Sequence, residues 1–234
     1  MFQLNTNVMD VRPISQNNTS FSARNPKIRF ADDIARRVNK SFPRISSTLL
    51  ETHKFAKRKR FKELIWNVSD QVTVMRNEKK DRIICAKKLV DYVKAYIQPI
   101  KKYHAGNCGE SAELAAIIAQ ANGLKNVEKV YLVTERGKDM DHAVLLVNDV
   151  KTPYIIDAWL GFADTIPNAV VRYKGEFRHC FDGRMIKSKK LKFIPSDGKF
   201  DFIINRIFTN REIKYLLKTH KDIILQEKNI SQKT

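Results

Sequence analysis

The sequence predicts an α+β fold in which one buried helix packs against an antiparallel sheet. Helical spacing of apolar residues dominates the N-terminal part of the chain, and an Ala-rich apolar segment, AELAAIIAQA, then follows a turn sequence. Three strand-like runs come directly after it, separated by short polar connections. The chain has 234 residues, of which 43% are hydrophobic, so it can bury one full core.

The N-terminal segment, residues 1–27, is rich in Asn, Ser and Thr and shows no sustained apolar period. This composition predicts a mostly disordered polar arm. Residues 28–103 are predicted to be a basic helical region that packs on the core. Its first helix is expected to begin near Ala31 and to stop at Pro43.

Two further helices are expected in this region. One runs from about Ser46 through the basic run and into KELIWNV, and the other runs from about Lys79 to Ile97, ended by Pro99. Cys85 lies within the apolar pattern of the latter. It is therefore interpreted as a packing residue, because free Cys behaves as a small buried hydrophobe.

Residues 104–234 are predicted to form the α+β core with a basic C-terminal extension. Gly123 can close the Ala-rich helix in a left-handed conformation. The strands are expected at Val127–Glu135, Asp141–Val147 and Tyr154–Trp159, with weaker candidates at Val170–Tyr173 and Lys190–Ile194. A C-terminal helix is expected over Arg211–Gln226.

The chain carries 44 Lys and Arg against 25 Asp and Glu, a formal net charge of +19. Residues 104–170 are net acidic, so the surplus lies entirely in the two flanks. The basic runs at 54–62 and 184–192 suit an anionic membrane or an acidic partner, although solvated helix faces explain such runs equally well. No specific nucleic-acid module accompanies them. No apolar run is long enough for a transmembrane segment, and no Sec-type signal precedes the arm.

The three cysteines are an odd number and none forms a CxxC pair. This argues against a disulfide framework and against a metal site, and it favours a reducing compartment. We expect neither a metal nor another cofactor.

The segment GNCGES carries the first sign of chemistry. If Asn107 caps the Ala-rich helix, Glu110 completes a capping box and Cys108 lies in the first turn. Unpaired backbone N–H groups and the helix dipole favour a thiolate at that position. Cys108 is therefore a candidate nucleophile, and a buried cysteine at a helix start is the alternative.

The hairpin that follows supplies a candidate base and acid. With Asp149 and Val150 at the centre of the connection, His142 lies directly opposite Asp157 and on the same face. The carboxylate could then fix the imidazole tautomer and leave the other ring nitrogen for the thiol. Trp159, two residues beyond Asp157, should share this face and shield the pair, or serve as ordinary core packing.

The motifs GNCGESAEL, DHAVLL and IIDAWLG resemble the Cys, His, Asp order of the papain-like and transglutaminase-like superfamily. The resemblance is to bacterial secreted effectors that act as cysteine proteases or glutamine deamidases, and it covers roughly residues 104–162. It implies a papain-like core with Cys108 as nucleophile, His142 as general base and Asp157 as orienting acid. Two features depart from it: Ala158 follows the aspartate where Pro is often found, and the Cys-to-His segment is short.

The resemblance implies a cysteine-dependent hydrolase that attacks an amide carbonyl of a target protein through a thioester. Peptide cleavage is favoured slightly, and glutamine deamidation or transamidation is the alternative. The second alternative is a catalytically inert basic binding module on the same scaffold. The Cys108 backbone N–H is the natural oxyanion donor, and Asn107 and Gln98 are candidates for the second.

The resemblance also implies a protein substrate in a host. Delivery without a Sec signal into the host cytosol is the expected localisation, and residence in the cytoplasm is the alternative.

Overall fold

A computed structural model gives the fold and describes residues 25–41, 46, 57–134, 139–148, 152–180, 191–195 and 211. The helices are α1 (Pro26–Ser41), α2 (Lys59–Cys85), α3 (Leu89–Tyr103), α4 (Cys108–Ala121) and α5 (Ile166–Lys174), with a short 3₁₀ turn at Arg178–Cys180. The strands are β1 (Val127–Thr134), β2 (Asp139–Val147), β3 (Tyr154–Asp157), β4 (Phe162–Thr165) and β5 (Leu191–Pro195). The α+β class is confirmed.

The five strands form one antiparallel sheet in the order β4-β3-β2-β1-β5. Helix α4 packs on β1 and β2, helix α1 packs on β3 and β4, and the two helices contact each other. They therefore cover the same face of the sheet. Helix α3 packs on α4, and α2 packs on α3. Nearly every residue of α4 is buried, as its continuous apolar sequence requires.

The N-terminal helix begins earlier than predicted. Helix α1 starts at Pro26, inside the segment interpreted as a disordered arm. The Asn25 carboxamide accepts a hydrogen bond from the Lys27 N–H at 3.0 Å, and Pro at the first helical position costs no hydrogen bond. Residues 1–24 lie outside the described part of the chain.

The predicted third helix is wrong in its boundaries. One long helix, α2, continues to Cys85, and α3 begins only at Leu89, so the predicted Lys79–Ile97 segment is divided. Cys85 is exposed, which contradicts its interpretation as a packing residue. Pro99 lies inside α3 and does not end it, since the helix continues to Tyr103.

Beyond the hairpin, the sequence-based assignment is correct only in part. Val170–Tyr173, predicted as a strand, belongs to helix α5, and strand β4 was not predicted. The strand predicted at Lys190–Ile194 is confirmed as β5, one residue later. The predicted helix Arg211–Gln226 lies outside the described residues except for Arg211 itself, which is helical.

Candidate active site

Cys108 is the first residue of helix α4, as the sequence predicts. Asn107 is the N-cap, and Glu110 occupies the third helical position and forms the capping box. The Glu110 Oε2 atom accepts a hydrogen bond from the Asn107 N–H at 2.8 Å. Cys108 is 8% exposed, and its thiol lies 3.5 Å from the Asp141 carbonyl oxygen. The nucleophile candidate is thus nearly buried, at the positive end of the helix dipole.

His142 is aimed at this helix by an irregularity in strand β2. Between the pairs Tyr131↔Ala143 and Val133↔Asp139, strand β2 uses two more residues than β1. Asp141, directly before His142, adopts a left-handed φ of 48°, which is uncommon for a residue other than glycine. Bulges of this kind often redirect a side chain beside a functional site.

The predicted register of the hairpin is wrong by two residues. Strand β2 pairs with β3 through Leu145↔Ile156, Leu146↔Ile155 and Val147↔Tyr154. Extending this register places Val144, not His142, opposite Asp157. Because the side-chain period of a strand is two residues, His142 keeps the face that the prediction gave it.

The structure nevertheless brings the three predicted residues together. His142 Nε2 lies 2.6 Å from Asp157 Oδ2, and both side chains are fully buried. Cys108 lies beside His142, where its side chain helps to raise the pKa of the imidazole. Since Nε2 is held by Asp157, the ring nitrogen left for the thiol is Nδ1. Cys108, His142 and Asp157 thus form one continuous chain of contacts from α4 through β2 to β3, which we name the thiol triad.

The Asp157 carboxylate is satisfied by four donors. Its Oδ2 atom contacts His142 Nε2 and accepts a hydrogen bond from the Tyr173 hydroxyl at 2.9 Å. Its Oδ1 atom accepts hydrogen bonds from the backbone N–H groups of Trp159 at 3.1 Å and Leu160 at 2.9 Å. Burying an unpaired carboxylate is costly, and these four bonds offset that cost while fixing the orientation of both oxygens.

Two aromatic rings hold the imidazole. The Trp159 ring lies 5.3 Å from the His142 ring, and the Tyr173 ring meets it edge-on at 5.7 Å. Trp159 lies in the turn after β3 and not on the strand, so it reaches His142 by a different route from the one predicted. Helix α1 fastens this turn, because Asn39 Nδ2 donates to the Trp159 carbonyl at 2.6 Å.

The ionisation of the site favours a charged imidazole. Burial alone lowers the pKa of His142, but the charge and hydrogen bond of Asp157, helped by Cys108, raise this pKa to about 10. Burial and the Asp157 charge raise the pKa of Tyr173 well above its usual value, so the phenol stays protonated and acts as a donor. Burial, followed by the Asp157 charge, raises the pKa of Cys180 to about 11.

The two candidates for the second oxyanion donor, Asn107 and Gln98, each accept a hydrogen bond through the carboxamide oxygen. Asn107 caps α4, and its Oδ1 atom accepts a hydrogen bond from the Ser46 hydroxyl at 2.8 Å. Gln98 is exposed on α3, where its Oε1 atom accepts a hydrogen bond from Arg82 at 2.8 Å. These bonds use the carboxamide oxygens, whereas an oxyanion donor would use the NH₂ group, so a role for either residue stays a prediction.

Sequence reasoning missed Tyr173, the fourth donor to the Asp157 carboxylate. It lay in a segment interpreted as a strand, and it is fully buried on helix α5. The signal was present: Pro167 occupies the first turn of that helix, a position where proline is favoured. In a helix that begins near Pro167, Ala169 and Tyr173 are four residues apart and therefore lie on one face, and both are buried.

Comparison of the chain with protein-family models, curated proteins and solved structures gives no match.

Proposed function

We propose that this protein is a cysteine-dependent hydrolase that attacks an amide carbonyl of a target protein. The contact chain from Cys108 through His142 to the fully hydrogen-bonded Asp157 is the observation that carries the proposal. A buried structural histidine has no need of a thiol at a helix start on one side and an anchored carboxylate on the other. That combination suits nucleophilic catalysis, in which the base is itself oriented by a third group.

In the proposed reaction, the proton of the Cys108 thiol rests on His142 Nδ1, which gives the charged imidazole that the site favours, and the thiolate attacks the carbonyl carbon. The tetrahedral oxyanion is met by the backbone N–H of Cys108. The imidazolium then gives its proton to the leaving amine, the C–N bond breaks and a thioester remains. Water, deprotonated by the same imidazole, attacks the thioester and releases the acid and the free thiol. Asp157 orients the ring and steadies the imidazolium throughout.

The substrate is either a peptide bond or a glutamine carboxamide. We favour the peptide bond, as in the papain-like effectors that the sequence motifs resemble, and keep deamidation or transamidation as the alternative. Within the described part of the chain, the Trp159 Nε1–H is a buried donor without an acceptor. Its position beside His142 supports a role for Trp159 at the site, where the buried ring shields the imidazole from water.

Mass spectrometry of host-cell proteins incubated with the purified chain tests this proposal. New chain termini indicate a protease, and a gain of about 1 Da at glutamine indicates deamidation through the same thioester chemistry. Both should disappear with Cys108→Ala and His142→Ala, whereas Cys85→Ser, which changes an exposed cysteine, should leave them intact. Products formed equally by Cys108→Ala would refute the proposal and leave a binding module on the same scaffold.

For the partner surface, we propose that the first turns of α2 dock on an anionic membrane. The basic run at 54–62 leads into this helix, and its described basic residues are all exposed: Lys57, Arg58, Lys59, Arg60 and Lys62. Trp66, one turn beyond Lys62 on the same side of the helix, is 71% exposed. Basic side chains are attracted to anionic lipid by about 1 kcal/mol each, and an exposed Trp suits the interface.

Vesicle sedimentation tests this docking. The chain should bind vesicles of phosphatidylserine and phosphatidylcholine but not phosphatidylcholine alone, and Trp66→Ala should weaken the binding. Cys108→Ala, which leaves this surface intact, should bind as the unaltered chain does. Equal binding to both vesicle types would refute an electrostatic contact. No helix among the described residues is long and apolar enough to cross a bilayer.

We further propose that the protein acts as a secreted bacterial effector in a host cytosol. The resemblance of its motifs to such effectors supports this, and so do three free cysteines, which suit a reducing compartment.

A further inference from the structure

The nucleophile helix carries a buried negative charge in its first turn. Glu110, two residues after Cys108, is 2% exposed and uses Oε2 to cap the Asn107 N–H. The bond helps to fix the helix start, but an uncompensated carboxylate so near the thiol would oppose formation of a thiolate. A thiol enzyme with this capping box needs a cation that cancels the Glu110 charge.

Helix α2 supplies that cation. Arg76 Nε lies 2.8 Å from Glu110 Oε1, and Arg76 Nη2 lies 3.1 Å from Oε2, so the guanidinium grips both oxygens. Lys79 is less well placed: its Nζ lies 3.8 Å from Glu110 but 2.7 Å from Glu113, its main partner. Burial alone raises the pKa of Glu110, yet Arg76 and Lys79 lower it below its usual value, so the carboxylate stays charged.

The reach of Arg76 extends to the thiol. The hydrogen bond to Glu110 is the main cause that raises the pKa of Arg76; burial opposes it, and the charges of Glu110, Glu113 and, least, Cys108 add to it. The guanidinium is half exposed, so it retains contact with water while it pairs with a buried carboxylate. The other charged or titratable groups of this region lie on five elements: Lys79 on α2, Glu110 and Glu113 on α4, His142 on β2, Asp157 on β3 and Tyr173 on α5.

We propose that Arg76 is a positioning residue of the active site, which cancels the Glu110 charge so that the capped helix start still favours the Cys108 thiolate. Helix α2 then belongs to the catalytic unit and is more than a basic element packed on the core. The inference rests on the proposed function, but it concerns thiol reactivity, which is measured without a substrate.

The test follows alkylation of Cys108 by iodoacetamide from pH 5 to 10, read by peptide mass spectrometry. Arg76→Gln should move the midpoint of the rate profile up by about one pH unit, which lowers the alkylation rate at neutral pH by up to about tenfold. Arg76→Lys keeps the positive charge but loses the bidentate hydrogen bonds, so its midpoint should lie between those of the unaltered chain and Arg76→Gln. Arg82→Gln is the matched control, because Arg82 is on the same helix but pairs with Glu78 and Gln98.

A double variant separates electrostatics from simple loss of structure. When Glu110 is also changed to Gln, there is no charge to cancel, so Arg76→Gln with Glu110→Gln should return the midpoint towards that of the unaltered chain. A purely structural ion pair predicts no such rescue. Urea unfolding of every variant shows which are folded at the assay temperature.

A folded Arg76→Gln chain with an unchanged profile would overturn the inference, as would a double variant shifted as far as the single one. If the unaltered Cys108 reacts like an ordinary exposed thiol, the proposed function itself fails, whatever Arg76 does.

Discussion

Replacing Asp157 by Asn exchanges one carboxylate oxygen for an NH₂ group and leaves the side-chain volume almost unchanged. The two backbone N–H groups of the turn should hold the amide oxygen at the Oδ1 position, which puts the NH₂ group where Oδ2 was. That group would then face two donors, His142 Nε2–H and the Tyr173 hydroxyl. The imidazole can accept its hydrogen bond only by moving its proton to Nδ1, and it then has no free nitrogen for the Cys108 thiol.

The size of the effect follows from the two hydrogen bonds to Oδ2, which lose their charged acceptor. A hydrogen bond to a charged group contributes about 1.5–3 kcal/mol and a neutral one about 0.5–1.5 kcal/mol, so this change should lower the free energy of unfolding by about 2–3 kcal/mol. The pKa of His142 should fall from about 10 towards its usual range, since Asp157 is the main cause that raises it. Loss of one to two pKa units of imidazolium stabilisation corresponds to about 10- to 100-fold in thiol reactivity at neutral pH.

Urea unfolding measures the first effect, and iodoacetamide alkylation of Cys108 measures the second. Asp164→Asn is the matched control, because this carboxylate is equally buried on the next strand but accepts its hydrogen bonds from Thr165 and Asn168. It should lose stability without slowing alkylation. An Asp157→Asn chain that alkylates at the unaltered rate would refute the reasoning.

Three further outcomes are expected. Tyr173→Phe removes one donor to Asp157 and should lower the free energy of unfolding by about 1–3 kcal/mol in urea; no loss would show that water replaces the hydroxyl. The raised pKa of His142 contributes stability below pH 6.5 that is lost as the pH rises to about 10, so thermal stability should fall across this window, and less so in His142→Gln. Glu113→Gln removes the carboxylate that pairs with the buried Lys79 at 2.7 Å and the buried Lys129 at 3.3 Å, so the free energy of unfolding in urea should fall by about 3–5 kcal/mol. A near-neutral result would mean that both lysines rearrange into water.

The start of the nucleophile helix could be predicted because local chemistry determines it. The capping preference and the helical period alone place Asn107 at the N-cap, Cys108 first in the helix and Glu110 third. Gly123, with a φ of 87°, ends the helix as expected. The face of His142 and Asp157 was also predictable, since a period of two residues survives an error of register. Their direct pairing was not, because register depends on the turn and on the bulge around Asp141.

The remaining errors share one cause: long-range packing decided what local pattern could not. Ile84 follows the apolar spacing of a helix core, yet it is 71% exposed, because α2 presents its other face to α3. Arg76 and Glu110 are 34 residues apart, and no local rule pairs them. Tyr173 reaches Asp157 only because α5 folds back over β3 and β4.

The three cysteines of the chain allow a direct test of thiol activation within one molecule. Cys85 is exposed and serves as an ordinary thiol, and Cys180 is buried with a raised pKa. Limiting iodoacetamide at pH 6, followed by peptide mass spectrometry, ranks their reactivity. If the thiol triad activates Cys108, this nearly buried residue reacts before Cys85, and His142→Ala reverses the order. Labelling of Cys85 first in the unaltered chain would contradict a catalytic role for Cys108.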